Sequence, residues 1–270
     1  MKKILIGSIL ALGISTLQAS SLEVGLGNVQ FDYSEYLDDG SWFNSEKSEE
    51  YELDGGFIKY EHSLSDLKNE DRKYKQYLEV YYSFHLNRAE HTQPNALGTP
   101  TDNELHQGHL RYKAINKVEN YELGIFVGLG YRYWDRDMLG SSNLRGYLET
   151  YEWPYYEAGL SWKWYDGNFY MGIDASFQKA YKPTMIAYTK NISTFGRDLD
   201  FDLGDTQGYK IDIPLGYKVN ENWDVVLHYV YDAWDIEKSN ELPIANGSKA
   251  WEPFSETRNS YTYISLKYKF

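Results

Sequence analysis

The stretch ELGIFVGLGYRYW, residues 122–134, settles the class of fold. Leu123, Ile125, Val127, Leu129, Tyr131 and Tyr133 fall on one face, and Glu122, Gly124, Phe126, Gly128, Gly130 and Arg132 on the other. Alternation with period two is the mark of a β-strand with one apolar face. The second face carries charge beside glycine, which suits the crowded polar interior of a transmembrane barrel better than the solvent side of a sandwich. Other stretches read the same way. In residues 77–86 Leu78, Val80, Tyr82, Phe84 and Leu86 oppose Glu79, Tyr81, Ser83 and His85. In residues 155–164 Tyr156, Ala158, Leu160, Trp162 and Trp164 oppose Glu157, Gly159, Ser161 and Lys163. Ile211, Ile213, Leu215 and Tyr217 oppose Lys210, Asp212 and Pro214, and Val225, Leu227, Tyr229 and Tyr231 oppose Asp224, His228 and Asp232.

The connections point the same way. Short links at 116–120, 165–168 and 218–222, and a slightly longer one at 64–72, alternate with long polar stretches at 38–51, 88–107, 137–153, 183–207 and 237–260. Tight periplasmic turns and long outward loops give an outer-membrane barrel this rule. The expected strands are 22–36, 52–62, 73–87, 108–115, 121–136, 155–164, 169–182, 208–217, 223–236 and 261–270. The fold class is therefore all-β, a transmembrane antiparallel up-and-down barrel of about ten strands, with eight or twelve as alternatives. Leu22, Val24 and Leu26 are out of phase with Val29, Phe31 and Tyr33, which predicts a bulge near Gly27 and Asn28.

The remaining composition fits that assignment. Lys2 and Lys3, an apolar run from Ile4 to Leu17 and a small residue at Ala19 have the layout of a secretory signal peptide over 1–19, leaving 20–270 as the barrel with five extracellular loops. No later window is long and apolar enough for a spanning helix. The chain has no cysteine, so disulfides and thiolate metal sites are excluded. Its formal charge is −13, about −15 once the two lysines are removed, and all five long loops are net acidic, which excludes a nucleic-acid partner. Aromatic residues make up 17% of the chain, with 27 Tyr and 8 Trp. Tyr133, Trp134, Trp153, Trp164, Trp223, Trp234 and Tyr268 fall near strand ends and are expected to form two interfacial girdles. The last strand ends on Phe270. It is expected to close the sheet and to act as the signal read by the outer-membrane assembly machinery.

LGYRYW at 129–134, WPYYEAGLSWKW at 153–164, GYKVNENWDVVLHY at 216–229 and ISLKYKF at 264–270 resemble the omptin family, ten-stranded outer-membrane proteases. The resemblance covers roughly the C-terminal half. It implies an Asp-x-Asp pair by the second outward loop and an Asp-x-His pair by the fourth. Here Asp102 has no second aspartate two residues away, and no histidine lies between His109 and His228. The general-base step then lacks its imidazole, so the protease activity is not carried over.

Lumen-facing candidates are Glu79, His85, Arg111, Arg132, Glu157, Lys163, Asp212, His228 and Asp232, read chiefly as hydrogen-bonded filling of a small barrel. His106 and His109 face opposite sides of a strand, and Asp198, Asp200, Asp202 and Asp205 lack the glycine of a calcium loop, so no metal and no cofactor is expected. The expected protein is a monomeric, porin-like barrel among outer-membrane lipid and lipopolysaccharide of a Gram-negative bacterium. It is expected to be non-enzymatic, whether structural, surface-interacting or a narrow pore. The alternative is an omptin-like outer-membrane hydrolase with a divergent active site.

Overall fold

The computed structural model describes residues 20–48, 54–64, 74–93, 96–140 and 146–270. The proposed signal peptide and most of the link at 64–72 lie outside them. The described strands are β1 (Ser20–Gln30), β2 (Asp32–Tyr36), β3 (Trp42–Lys47), β4 (Gly55–Ser63), β5 (Tyr74–Gln93), β6 (Ala96–Val118), β7 (Tyr121–Met138), β8 (Tyr147–Asp166), β9 (Phe169–Ala180), β10 (Thr184–Ala187), β11 (Leu199–Asp202), β12 (Thr206–Lys218), β13 (Trp223–Ile236), β14 (Leu242–Pro243), β15 (Lys249–Ala250) and β16 (Phe254–Lys269). β1 continues into β2, and β3 stands above β4, so each pair forms one stave. With β5 to β9, β12, β13 and β16 this makes ten antiparallel staves. β1 pairs with β16 from Ser21 opposite Lys269 to Gln30 opposite Ser260, and the sheet closes on itself. Ten is the strand number.

Three of the links between described strands are tight. β6 and β7 are joined by Glu119 and Asn120, β8 and β9 by Gly167 and Asn168, and β12 and β13 by residues 219–222. Gly167 takes a φ of +56°, the left-handed conformation that glycine adopts without a Cβ penalty.

The opposite ends depart from the sequence reading. The stretch expected as a loop at 88–107 is almost wholly strand among its described residues, and the other four keep shorter strands between their loop segments. β5 and β6 stay paired up to Arg88 opposite Asp102 and beyond, and β7 and β8 up to Met138 opposite Tyr147. Outside the hydrocarbon both faces of a strand can be polar, so the alternation fades while the backbone ladder continues.

The polarity of the wall inverts along its length. Leu123, Ile125, Val127, Leu129 and Tyr131 are exposed outside on β7, while Phe126 is buried inside. From Leu123 to Tyr131 the strand runs about 27 Å at about 3.4 Å per residue, which the usual tilt of about 35–45° turns into about 20 Å of lipid-facing height. Above it the outer positions are Asp135 and Asp137, and the inner ones Trp134 and Arg136 are buried.

The same inversion removes the expected bulge. The ladder from β1 to β16 runs without interruption through Gly27 and Asn28. Val29, Phe31 and Tyr33 are wholly or almost wholly buried inside the barrel, in phase with Glu23 below them. The apolar residues changed face because the solvent outside changed, and the strand itself runs straight.

Trp134, Trp153 and Trp234 are also corrected. All three are fully buried inside and cannot belong to a girdle. Trp134 stacks on Tyr151 at 4.5 Å, and Trp153 meets Trp234 edge-on at 5.2 Å. With Phe31, Tyr33, Tyr155, Met185, Phe201 and Ile236 they form an apolar core in the upper half of the barrel. Tyr133, Trp164, Trp223 and Tyr268 lie on the outer face, half-buried or exposed.

Inward glycines make room for the rings below. Gly130 stands opposite Tyr155 and Gly216 opposite Tyr170, and each aromatic ring occupies the space a Cβ on the glycine would need.

A charge placed in the belt should be costly where the same charge above it is not. Leu129→Arg is expected to lower folding stability in lipid vesicles by about 2–4 kcal/mol, and Ser34→Arg to leave it within about 0.5 kcal/mol. Urea titration of the refolded barrel reads both.

Candidate functional site: a charged lumen and a buried carboxylate cluster

Alternation brings charged residues from nearly every stave into the middle of the lumen. Arg111 grips Glu157 with two hydrogen bonds, Nε to Oε1 at 2.7 Å and Nη2 to Oε2 at 2.8 Å, and reaches Glu79 Oε1 at 3.3 Å. Lys113 Nζ donates to Glu79 Oε2 at 3.0 Å and to Asp174 Oδ2 at 3.1 Å, and His109 Nε2 lies 3.1 Å from Glu79. Across the lumen His228 stands between two carboxylates, Nε2 at 2.7 Å from Glu23 and Nδ1 at 2.9 Å from Asp212. With both carboxyl groups ionised, both ring nitrogens donate and the ring is an imidazolium. Lys59 Nζ closes the group at 2.8 Å from Glu23.

The central layer is electrically balanced. Lys59, Arg111, Lys113, Lys210 and His228 supply five positive charges, against Glu23, Glu79, Glu157, Asp174 and Asp212. Balance is required here, because an ion left unpaired in a closed interior costs several kcal/mol. The space between these side chains amounts to a cavity of about 30 Å³, lined by Lys59, Glu79, His109, Arg111, Lys210 and His228 among others. That is room for only a few water molecules.

The other sequence-derived candidates also face inward. His85 is held between Asp54 at 3.0 Å and Tyr263 at 2.8 Å. Arg132 donates to Asp232 at 2.7 Å and lies between the rings of Trp153 and Trp234, 5.8 and 5.7 Å from their centroids. Lys163 sits 4.0 Å over the ring of Tyr170. The structure thus brings Glu79, Arg111 and Glu157 into one group and Asp212 with His228 into a second, while His85, Arg132 with Asp232, and Lys163 stand apart. As lumen residues, Glu23, Lys59, His109, Lys113 and Asp174 were missed in the sequence. Glu23 is in phase with Gly25 and Gly27, the charge-and-glycine signal that marks an inner face in residues 122–134.

A carboxylate does stand two residues from Asp102, namely Glu104. Both point away from the lumen, Asp102 to Arg88 at 2.7 Å and Glu104 to His106 at 2.7 Å.

A second cluster, also missed, lies above the belt. Arg136 donates to Glu46 at 2.8 Å, to Glu149 at 2.7 Å and to Glu35 at 3.2 Å. Tyr33 Oη lies 2.6 Å from Glu35 and 3.1 Å from Glu252; Tyr151 Oη lies 2.7 Å from Glu252 and 3.1 Å from Glu149. Four carboxyl groups therefore surround one guanidinium, all of them buried. Burial, reinforced by Glu35 and Glu149, holds the Glu252 carboxyl well above the ordinary carboxylate range. Burial also raises Glu35, against the pull of Arg136. The Tyr33 and Tyr151 phenols are pushed up by burial and by the carboxylates around them. Sequence spacing held a signal for this group. Tyr33-x-Glu35 and Glu149-x-Tyr151 repeat one pairing of phenol and acid on one strand face.

Neither a protein-family model nor a curated protein matches the chain. Among solved structures, the outer membrane protease OmpT from Escherichia coli superimposes with a TM-score of 0.58 over 95% of this chain and 99% of that one, at 14% identity. The chain shares the ten-stranded barrel fold of OmpT. The likeness extends over both halves of the barrel, beyond the C-terminal half in which the residues resemble omptins. The transport unit of the autotransporter AIDA-I from Escherichia coli matches at TM-score 0.47 and 11% identity, covering 96% of this chain and 92% of that one. The translocator domain of the autotransporter NalP from Neisseria meningitidis matches at 0.45 and 8%, covering 95% and 90%.

Removing one partner of the central network should expose the cost of its balance. Arg111→Ala leaves Glu157 and Glu79 without their guanidinium and is expected to destabilise the barrel by about 3–5 kcal/mol. The double variant Arg111→Met with Glu157→Leu should recover most of that loss. Unfolding midpoints in detergent give the comparison.

Proposed function

We propose that this chain is a closed, non-enzymatic barrel of a Gram-negative outer membrane, with a structural or surface-interaction role. The observation that carries this reading is the filled lumen: a balanced charged network leaves about 30 Å³ at its centre, and the aromatic core fills the half above it. A conducting pore needs a continuous aqueous path, and two packed layers stand in its way. The outer-membrane assignment rests on the exposed apolar belt and on the barrel fold shared with OmpT. In this reading residues 1–19 direct export, Tyr133, Trp164, Trp223 and Tyr268 sit at the lipid–water boundaries, Phe270 is read during assembly, and the monomer presents acidic loops among lipopolysaccharide.

The second reading, an omptin-like hydrolase with a divergent site, is favoured by the OmpT fold together with the carboxylate cluster above the belt. That cluster is buried and its acids are bound to Tyr33, Tyr151 and Arg136, which turns them away from a peptide.

Two measurements decide between these. In planar bilayers the wild-type barrel is expected to give no conductance steps, whereas Arg111→Ala with Lys113→Ala should give small, unstable ones. Steady wild-type steps would return the pore. Cleavage of unfolded peptides by the purified barrel, lost on Glu149→Gln, would return the hydrolase.

A further inference from the structure

The carboxylate cluster holds a proton count that its neighbours in the lumen do not. Four oxygen–oxygen contacts link Tyr33 to Glu35 and Glu252, and Tyr151 to Glu252 and Glu149, at 2.6, 3.1, 2.7 and 3.1 Å. Each such contact is attractive only with a hydrogen between its oxygens. The two phenols supply only two hydrogens, so where these are not shared between two acceptors the rest sit on carboxyl groups. Charge points the same way: among the described residues Glu35, Glu46, Glu149 and Glu252 face one cation, Arg136, whereas the central layer below sets five cations against five carboxylates. Two further hydroxyls, Ser255 Oγ and Thr257 Oγ1, are wholly buried and have no hydrogen-bond partner. Their register positions are opposite Glu35 and Tyr33. They offer hydrogen-bonding capacity for a proton-bearing carboxyl beside the cluster.

Glu252 differs from the other three acids in its position. Glu35, Glu46 and Glu149 lie on strands β2, β3 and β8, but Glu252 lies outside the strands, at the end of the fifth outward loop. Its backbone is tied across that loop, Glu252 N to Ser239 Oγ at 2.8 Å and Ser239 N to Glu252 O at 3.0 Å. Leu242, Ile244 and Ala250 of the same loop pack on the aromatic core. The loop packs over the aromatic core; Arg197 to the Pro243 carbonyl, Asn240 with Asp202 and Lys238 to Asp38 hold its rim, and the Glu252 carboxyl is its attachment to the buried cluster.

We propose that Glu252 is a proton-operated latch: as a carboxylic acid it holds residues 237–253 over the mouth, and its ionisation releases them. The groups that face it are Tyr33 and Glu35 from β2, Glu46 from β3, Arg136 from β7, and Tyr147, Glu149 and Tyr151 from β8. Ionisation of Glu252 adds a further negative charge to this enclosed group, and outward movement of the loop removes it without breaking a stave. The direction follows from linkage. A carboxyl that holds its proton more tightly in the latched loop than in the free one stabilises closure in acid. That stabilisation is lost as pH rises through the latched value. Acid therefore closes the loop and alkali opens it.

Hydrogen exchange across residues 239–252, read by mass spectrometry on the full-length barrel in lipid nanodiscs and corrected for intrinsic rates, tests the latch. Opening is expected to increase from pH 5 to pH 8.5, about tenfold for each pKa unit separating the latched from the free carboxyl. Glu252→Gln, which keeps the acceptor oxygen and cannot ionise, should stay protected at both pH values, while β7 and β13 exchange identically throughout. A wild-type loop with no pH dependence overturns the proposal, and so does a Gln variant that keeps the wild-type dependence. Should the variant fail to fold, the carboxylic C=O stretch of the wild type in the infrared at neutral pH decides: its absence overturns the latch.

Discussion

A sheet edge cannot stand in hydrocarbon, because each unsatisfied backbone N–H and C=O there costs several kcal/mol. The rest of this molecule depends on the ladder that removes that edge, ten register pairs between β1 and β16. Once the ladder closes, the wall divides space into an outside and an inside. Every residue on every stave is then committed by parity to one or the other. A slip of one residue anywhere would turn Glu79 and Arg111 toward lipid and Val80 and Leu110 into the lumen.

Closure also creates the interior problem that the polar faces answer. Charges turned inward are cut off from bulk water, so each must find a partner inside. The lumen solves this by pairing, with Arg111 on Glu157 in a bidentate grip and His228 shared between Glu23 and Asp212. The cluster above the belt solves it differently, by keeping protons on acids that outnumber their cation. The charged network lies below the aromatic core, whereas the carboxylate cluster is set into that core through Tyr33 and Tyr151.

The inversion of polarity links the halves. Within the belt the wall is apolar outside and charged inside; above it the wall is wet outside and aromatic inside. One continuous strand such as β7 carries both regimes, from Leu123 outside to Trp134 inside. Sequence periodicity reports that one face is greasier than the other. It does not report which side of a barrel that face takes, and so the three buried tryptophans read as girdle residues.

Strand number, antiparallel order, the tight turns at one end and the inward parity of Glu79, Arg111 and His228 were legible in the sequence, because period-two alternation and turn residues are local properties of the chain. The long strands above the belt were not, since a ladder between two polar faces leaves no contrast to read. Nor were the partners: Glu23 meets His228 and Tyr33 meets Glu252 across 205 and 219 residues of chain. Alternation fixes which residues point inward. Only the closed barrel, with its particular register and diameter, decides which of them touch.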